Sequence, residues 1–166
     1  MSHEIDHLYA HYDHLPRIAR MIYEEFWVGT DGYTLTELEA RLADATSPDR
    51  IPLSLVALVD GRPAGTANLI DNDDAARPHL HPWLAALVVL PEHRGLGIGS
   101  DLVARLLREA ERLGYPEVFL GTGTPRFYAR FGAEIIDQAR ENLFVMRCPT
   151  ASCGPPGDPE GGGGSS

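Results

Sequence analysis

Three closely spaced glycines join an apolar run to a segment of helical periodicity, and this seam constrains the fold more than any other part of the chain. The apolar run is "WLAALVVL" at 83–90, the glycines are Gly95, Gly97 and Gly99, and "SDLVARLLREAERLG" follows from Ser100. A continuous apolar run of this length predicts a strand buried on both faces, and the spacing of leucines and valines after the glycines predicts a helix. A strand, a glycine-rich turn and a helix aim unpaired N–H groups and the positive end of a helix dipole at one point, which predicts an anion site.

The remaining turn-forming residues divide the chain into short elements of both kinds, which predicts a layered α/β domain. In chain order we predict a strand at 4–13, helices at 15–27 and 34–45, strands at 53–59, 62–71 and 83–90, a helix at 100–113, a strand at 117–121, a helix at 125–132, and strands at 133–137 and 143–148.

Local signals mark the ends of several elements. Asp13 is placed to cap the first helix, and Thr34 with Glu37 three residues later has the capping-box pattern for the second. The Asp60-Gly61 pair lies between two apolar runs and predicts an antiparallel hairpin. The predicted buried face of the first helix consists of Ile18, Met21, Ile22 and Phe26.

Charge and hydropathy disfavour several functional classes. A net charge of −10 repels the phosphate backbone of nucleic acids, so no nucleic-acid partner is expected, whereas a cationic or amine-bearing partner is favoured. No apolar run approaches the roughly 20 residues that cross a bilayer, and the N-terminal residues lack the apolar core of an export signal. We therefore expect a cytoplasmic protein without a membrane partner.

The C-terminal segment differs in composition from the rest of the chain. Residues 149–166 are rich in Gly, Pro and Ser, which predicts a disordered tail after a single domain at 1–148. Both cysteines, Cys148 and Cys153, lie near this end and do not form a disulfide framework. The N-terminal histidines are spread along a predicted strand, which does not bring metal ligands together, so no metal site is expected.

Two common phosphate loops do not fit the glycine-rich seam. The Walker loop needs Gly-Lys-Ser/Thr, and this chain contains no lysine. The dinucleotide fingerprint G-x-G-x-x-G could begin at Gly95 and Gly97, but its third glycine would fall at position 100, which is Ser. The sequence therefore indicates neither a P-loop nor a dinucleotide-binding domain.

The residues around the glycines match a different pattern. Val89, Pro91 and the run Arg94-Gly95-Leu96-Gly97-Ile98-Gly99 resemble the V-x-P-x-x-R-G-x-G-x-G loop of the GNAT superfamily of acyl-CoA-dependent N-acetyltransferases. A second segment, "FYARFGAE" at 127–134, is similar to that family's F-Y-x-x-x-G-F/A motif. The predicted order of elements over about residues 4 to 148 also resembles the family's order.

This resemblance implies the GNAT fold, an α/β (α+β) domain whose mixed, mostly antiparallel sheet splays at the central strand and is flanked by helices. It also implies acetyl-CoA as co-substrate, with N–H groups from Arg94 through Ser100 on the pyrophosphate and added charge from the Arg94 side chain. Tyr128 falls on the position of a general acid for the coenzyme A sulfur, and an N–H near Val88 or Val89 would meet the oxyanion. The implied coenzyme-binding residues are Leu87, Val88, Val89, Arg94, Gly95, Leu96, Gly97, Ile98, Gly99, Ser100 and Tyr128.

The acceptor side carries no motif. We name Glu25, His81 and Trp83 as candidate substrate residues, with Trp83 either lining the acceptor pocket or anchoring its strand. Many family members carry an asparagine where this chain has "GTGTP" at 121–125, and Thr122 or Thr124 is the candidate substitute. The candidates for the general base are Glu25, Asp71, Asp73, Asp74, His79 and His81.

The resemblance implies transfer of an acetyl group to a primary amine, by direct attack in a ternary complex. We expect the amine to belong to a small molecule, and the acidic loop near residue 73 would suit a cationic acceptor. Two alternatives stay open at this point, a non-catalytic acyl-CoA sensor and an acetyltransferase of peptide or protein N-termini. Homodimers are common in the family.

Overall fold

A computed structural model describes residues 2–151 and contains one seven-stranded sheet with the strand order β1-β2-β3-β4-β5-β7-β6. The strands are β1 (Glu4–His7), β2 (Leu53–Val59), β3 (Arg62–Ile70), β4 (Trp83–Val89), β5 (Glu117–Thr122), β6 (Glu134–Arg140) and β7 (Leu143–Pro149). The α-helices are α1 (Leu15–Ile22), α2 (Leu35–Ala43), α3 (Ile98–Arg112) and α4 (Pro125–Ala129). A 3₁₀ helix, Leu8–His14, precedes α1, and a π turn, Tyr23–Trp27, follows it.

The junction between β4 and β5 differs from every other junction in this sheet. It is the one parallel pairing, and its register contains a single residue pair, Trp83 with Phe119. The N–H of Phe119 donates to the carbonyl of Pro82 at 2.9 Å, and beyond this point the two strands separate. The predicted splay at the central strand is therefore present, and it leaves a gap along one side of β4.

A β-bulge lies in β4 beside this gap. Ala85 pairs with Asn68 of β3 and Val88 pairs with Thr66, so β4 contains one residue more than β3 between these two pairs. Within the bulge, Ala86 has a φ of 56°, a left-handed conformation that costs a residue with a Cβ about 1–2 kcal/mol. The surrounding packing must therefore hold the bulge in place.

Each face of the sheet packs against its own helices. Leu55 of β2 and Leu84 of β4 point to one face, where they join a buried cluster with α3 and α4. Val56 and Val88 point to the opposite face and join α1 and α2 in a second cluster. Because side chains alternate along a strand, β4 contributes side chains to both helical layers.

The first predicted strand is too long. The chain leaves the sheet after His7 and turns into the 3₁₀ helix, because Leu8 is 1% exposed and packs against the buried face of α1. The predicted cap is also wrong, since α1 begins after His14 and Asp13 lies inside the 3₁₀ helix. Phe26 falls in the π turn, which rotates it out of the predicted apolar face, and it is 48% exposed.

Other local predictions are confirmed. The Asp60-Gly61 turn joins antiparallel strands, with positive φ at both residues. Thr34 accepts a hydrogen bond from the N–H of Glu37 at 3.1 Å and caps α2. The helix after the glycines begins at Ile98, two residues before the predicted start, because Gly97 is its N-cap.

The predicted tail lies mostly outside the described residues, as does Cys153. Pro149, its first predicted residue, ends β7, and Thr150 is buried with its hydroxyl donating to the carbonyl of Tyr115. Within residues 2–151, no helix is both long enough and apolar enough to span a bilayer.

We predict that Gly65→Ala destabilises the fold by about 1–3 kcal/mol, because overpacking forces neighbours apart. A Cβ at Gly65 of β3 would lie 3.0 Å from the carbonyl oxygen of Val88 and 3.2 Å from Leu102 Cδ1. Gly121 of β5 is the matched control, since its nearest contact would be 3.8 Å, and Gly121→Ala should be neutral or stabilising by less than about 1 kcal/mol. Urea unfolding measures both, and equal effects would contradict this packing.

Candidate functional site

The glycine-rich turn joins the end of β4 to the start of α3. Gly95 and Gly97 have φ values of 81° and 85°, a region that residues with a Cβ rarely adopt. These conformations turn the chain so that the first N–H groups of α3, which have no partner within the helix, face the open side of the turn. The predicted anion site therefore has the backbone geometry that it requires.

A groove of about 360 Å³ lies along this turn. Seven of its lining residues are among the eleven predicted coenzyme-binding residues: Val89, Arg94, Gly95, Gly97, Ile98, Gly99 and Ser100. The other three lining residues are His93, Phe127 and Arg130. The side chain of Leu96 is 47% exposed, and Leu96 does not line the groove.

The Arg94 side chain makes contacts within the protein, whereas the prediction was that its charge would add to the pyrophosphate site. Its Nε donates to the carbonyl of Val89 at 2.9 Å, and its own N–H donates to the carbonyl of Pro91 at 3.3 Å. Its guanidinium also lies 3.8 Å from the Glu25 carboxylate. Arg94 thus ties the turn to the end of β4, and the N–H groups left for an anion begin at Gly95.

Arg130 is the cation that sequence reasoning missed. It follows α4, stacks over the Phe127 ring at 4.9 Å and donates to the Ser100 hydroxyl at the start of α3. Its only sequence signal was its position inside the "FYARFGAE" segment. Arg130 brings positive charge to the mouth of the groove, next to the first turn of α3.

His93 lines the groove and, within the described part of the chain, has an unpartnered ring nitrogen. Its Nδ1 is buried and has no hydrogen-bond partner among the described residues. A buried nitrogen of this kind normally finds a partner, and this one lacks a hydrogen-bond partner within residues 2–151.

The gap beside β4 exposes backbone groups of two predicted residues. The N–H of Leu90 donates to the carbonyl of Ala64 at 2.8 Å, so the backbone groups of residue 90 face β3. Because these groups alternate in direction along a strand, those of Val88 also face β3, whereas those of Leu87 and Val89 face the gap. The backbone of Val88 is therefore not available for the predicted oxyanion contact.

Tyr128 lies in α4 on the side of the sheet that α3 covers. It is 7% exposed and belongs to the same buried cluster as Leu84 of β4 and Leu120 of β5, the strands that form the gap. Its ring meets Phe127 edge to face at 4.9 Å. Burial raises the pKa of the Tyr128 phenol to about 12, so the phenol keeps its proton at neutral pH.

The three predicted substrate residues are not brought together. Trp83 is 2% exposed, and its Nε1 donates to the carbonyl of Leu80 at 2.7 Å, so it anchors the start of β4. His81 stacks edge to face with Tyr115, just after the C-terminal end of α3 and therefore at the end opposite the glycine turn. Glu25 lies in the π turn near Arg94.

The acidic loop between β3 and β4 is held by ion pairs. Arg77 donates to Asp74 and to Asp137 of β6, both at 2.7 Å, and these contacts keep the pKa of Asp137 below its usual value. Asn72 donates to two carbonyl groups within the loop. The loop therefore has a defined conformation across the face of β5, β7 and β6.

Asp73 differs from its neighbours in this loop. Asp73 is an exposed residue by surface area, but its carboxyl group is surrounded by enough protein that desolvation, together with the nearby Asp74 charge, raises its pKa to about 6. Arg41 of α2 opposes this shift, which places Asp73 between the loop and the α2 layer. A carboxyl group with this pKa exchanges a proton near neutral pH.

The two threonines named in place of the family's asparagine have a structural role. Thr122 Oγ1 accepts the N–H of Thr124 at 2.9 Å and also lies 3.1 Å from the Thr124 hydroxyl. These contacts turn the chain from β5 into α4 and so position Tyr128.

Many solved structures share this fold. The protein yncA of Salmonella typhimurium, solved with its cofactor acetyl-CoA, has a TM-score of 0.68 at 18% identity, covering 93% of this chain and 97% of its own. An aminoglycoside 6'-N-acetyltransferase complexed with coenzyme A has a TM-score of 0.68 at 16% identity, covering 89% and 97%. A spermidine N-acetyltransferase chimera from Vibrio cholerae and hSSAT has a TM-score of 0.66 at 17% identity, covering 90% and 96%.

The family model agrees with the geometry of the site. The acetyltransferase (GNAT) family model matches residues 19–133, which span the bulge, the glycine turn and α4. Together with the splayed sheet and the open turn, this match shows that the chain belongs to the GNAT acetyltransferase family.

Proposed function

We propose that this protein is an N-acetyltransferase that transfers the acetyl group of acetyl-CoA to a primary amine of a small cationic molecule. One observation carries the proposal: the gap beside β4 ends at the glycine turn, so a strand edge and an anion site form one continuous binding surface. A long ligand with a diphosphate at one end and an extended amide-containing arm matches such a surface.

The glycine turn fits a diphosphate. No Cβ is present at Gly95, Gly97 or Gly99, and the space beside the first two is open, so phosphate oxygens can reach the N–H groups. Arg130 supplies a cation at the mouth of the groove. The net charge of the chain is −10, which disfavours binding of an anion, so a local positive charge offsets this repulsion at the groove.

The gap fits the pantetheine arm. Leu87 and Val89 direct backbone groups into the gap, where they can pair with the amides of the arm as a neighbouring strand would. Arg94 already occupies the Val89 carbonyl, so the groups available are the N–H of Val89 and both groups of Leu87. Leu87 directly follows Ala86 in the bulge and lies beyond the single pair that joins β4 to β5.

Acetyl-CoA supplies an acetyl group activated as a thioester. The Leu87 N–H is the donor for the carbonyl oxygen as negative charge develops on it. Tyr128 holds its proton at neutral pH and borders the same gap, which suits it to protonate the departing sulfur. The apolar surroundings that raise the pKa of the phenol also favour a neutral thiol over a thiolate.

The acceptor reaches the thioester from the face that α1 and α2 cover. The opposite face is occupied by α3, α4 and Tyr128, whereas the acidic loop and the π turn border this one. The acidic side chains there favour a cation, and two similar folds belong to enzymes named for aminoglycoside and spermidine. An amine that carries a further positive charge is therefore the acceptor class we infer.

Asp73 is the base that we assign to the acceptor amine. Of the other five candidates, four have an ionisable partner, since Asp74 is paired with Arg77, Asp71 with His81, and Glu25 lies near Arg94. Asp73 is the candidate whose pKa is raised to about 6, which keeps it ionised at neutral pH yet able to accept a proton.

Coenzyme binding tests the donor half of the proposal. Gly97→Glu should abolish acetyl-CoA binding in isothermal titration calorimetry, because it adds both a side chain and a negative charge to the anion site. Gly114→Glu is the control for backbone strain, since Gly114 also has a positive φ but lies at the other end of α3. Absence of binding in the wild type, or equal affinity in both variants, would contradict the proposed site.

Thiol release with a panel of diamines, polyamines and aminoglycosides tests turnover. Tyr128→Phe should lower kcat by about 100-fold or more while leaving the Kd for coenzyme A within about threefold, because it removes only the proton donor. Tyr12→Phe is the control, since Tyr12 is exposed and bonds to Ala43 of α2. Tight coenzyme binding without turnover of any amine would indicate an acyl-CoA sensor instead.

The pH dependence of kcat tests the base. The wild-type kcat should fall below about pH 6 as Asp73 becomes protonated, and Asp73→Asn should remove this limb and lower the plateau by about 100-fold. Asp71→Asn is the control, because Asp71 is an acidic residue of the same loop whose carboxylate contacts His81. A limb that survives in Asp73→Asn would assign the base to another group.

A further inference from the structure

Buried polar side chains of β2 and β3 lie beside the bulge. Ser54 of β2 and Asn68 of β3 are 5% and 4% exposed, between apolar neighbours in "LSLVALV" and "GTANLI". Burying a hydroxyl and a carboxamide is unfavourable unless both are hydrogen-bonded. The presence of this buried polar pair therefore indicates a specific role.

The contacts of Asn68 lead to the bulge. The Ser54 hydroxyl donates to Asn68 Oδ1 at 2.6 Å, which fixes which way the amide group points. The Asn68 Nδ2 is thereby directed at the carbonyl oxygen of Ala85, 3.4 Å away. Ala85 is the residue immediately before Ala86, whose left-handed conformation forms the bulge.

Thr66 provides an internal comparison. It is also buried, lies on the same strand and pairs with Val88 at the other end of the register shift. Its hydroxyl donates to the carbonyl of Leu55 on β2, away from β4. Two buried polar side chains thus flank the bulge, and only the Asn68 side chain donates to it.

We infer that Asn68, oriented by Ser54, is a positioning residue that holds the Ala85–Ala86 peptide so that the following Leu87 N–H points into the gap. A left-handed alanine persists only where its surroundings determine it, and the Asn68 amide is the side-chain donor that reaches its peptide unit. This inference rests on the proposed function for its catalytic consequence, but the holding of the bulge stands apart from turnover.

The test compares Asn68→Asp, Ser54→Ala and Thr66→Val with the wild type. Asn68→Asp keeps the shape but replaces the donating NH₂ with an oxygen, Ser54→Ala frees the amide to rotate, and Thr66→Val removes the hydroxyl that does not reach β4. Thermal unfolding followed by circular dichroism establishes that each variant is folded, and Ser54→Ala serves as the milder change if Asn68→Asp does not fold.

Hydrogen exchange of the free protein is the first readout. The Val88 amide, which pairs with Thr66 beside the bulge, should exchange about tenfold faster or more in Asn68→Asp and several-fold faster in Ser54→Ala. Thr66→Val should accelerate it by less than twofold. Unchanged Val88 exchange in both Asn68→Asp and Ser54→Ala would overturn the inference, whether or not the protein turns over any amine.

Kinetics are the second readout. Asn68→Asp should lower kcat about tenfold or more while the KM for the amine and the Kd for coenzyme A change less than threefold, since the glycine turn is untouched. A fall in kcat that matches that of Thr66→Val would indicate a merely structural role and overturn the inference. A wild type without turnover would instead contradict the proposed function, while the exchange result would still decide the role of Asn68.

Discussion

The separation of β4 from β5 is the constraint on which the rest of the structure depends. Two parallel neighbours in a sheet would normally pair along their whole length, because unpaired backbone groups inside a protein are costly. Here the pairing stops after Trp83 and Phe119, since the bulge at Ala86 changes the direction of β4. Beyond that point β5 does not pair with β4, and the Val89 carbonyl is instead bonded by the side chain of Arg94.

The elements around the gap each secure one part of it. The buried Trp83 anchors the end where the strands still pair, and Arg94 bonds to Val89 at the end where they are apart. Thr122 turns the chain into α4, so that Tyr128 lies against the gap on the side of the sheet that α3 covers. The glycine turn then continues the same surface, so the open edge of β4 and the start of α3 adjoin each other, and this is the surface where we propose that coenzyme A binds.

Local sequence patterns predicted the parts of the site that depend on backbone geometry. Gly95 and Gly97 are recognisable because their conformations exclude other residues, and Tyr128 is recognisable by its motif. The role of Arg94 was predicted less well, because a charge pattern does not reveal that a carbonyl of the same loop accepts its hydrogen bond. Arg130 and Asn68 carried no signal of their own, since their partners Ser100 and Ala85 are distant in sequence. The first strand was predicted too long for a similar reason. Leu8 leaves the sheet to pack against α1, and a local sequence pattern does not reveal that contact.

Hydrogen exchange at β4, with and without coenzyme A, tests the central claim most directly. The Leu87 and Val89 amides face the gap, and the Val88 amide is already paired with β3. Saturating coenzyme A should slow exchange at Leu87 and Val89 by about tenfold or more and leave Val88 little changed. Equal exchange at Leu87 and Val89 with and without bound coenzyme would contradict the account that the open edge of β4 is a coenzyme site.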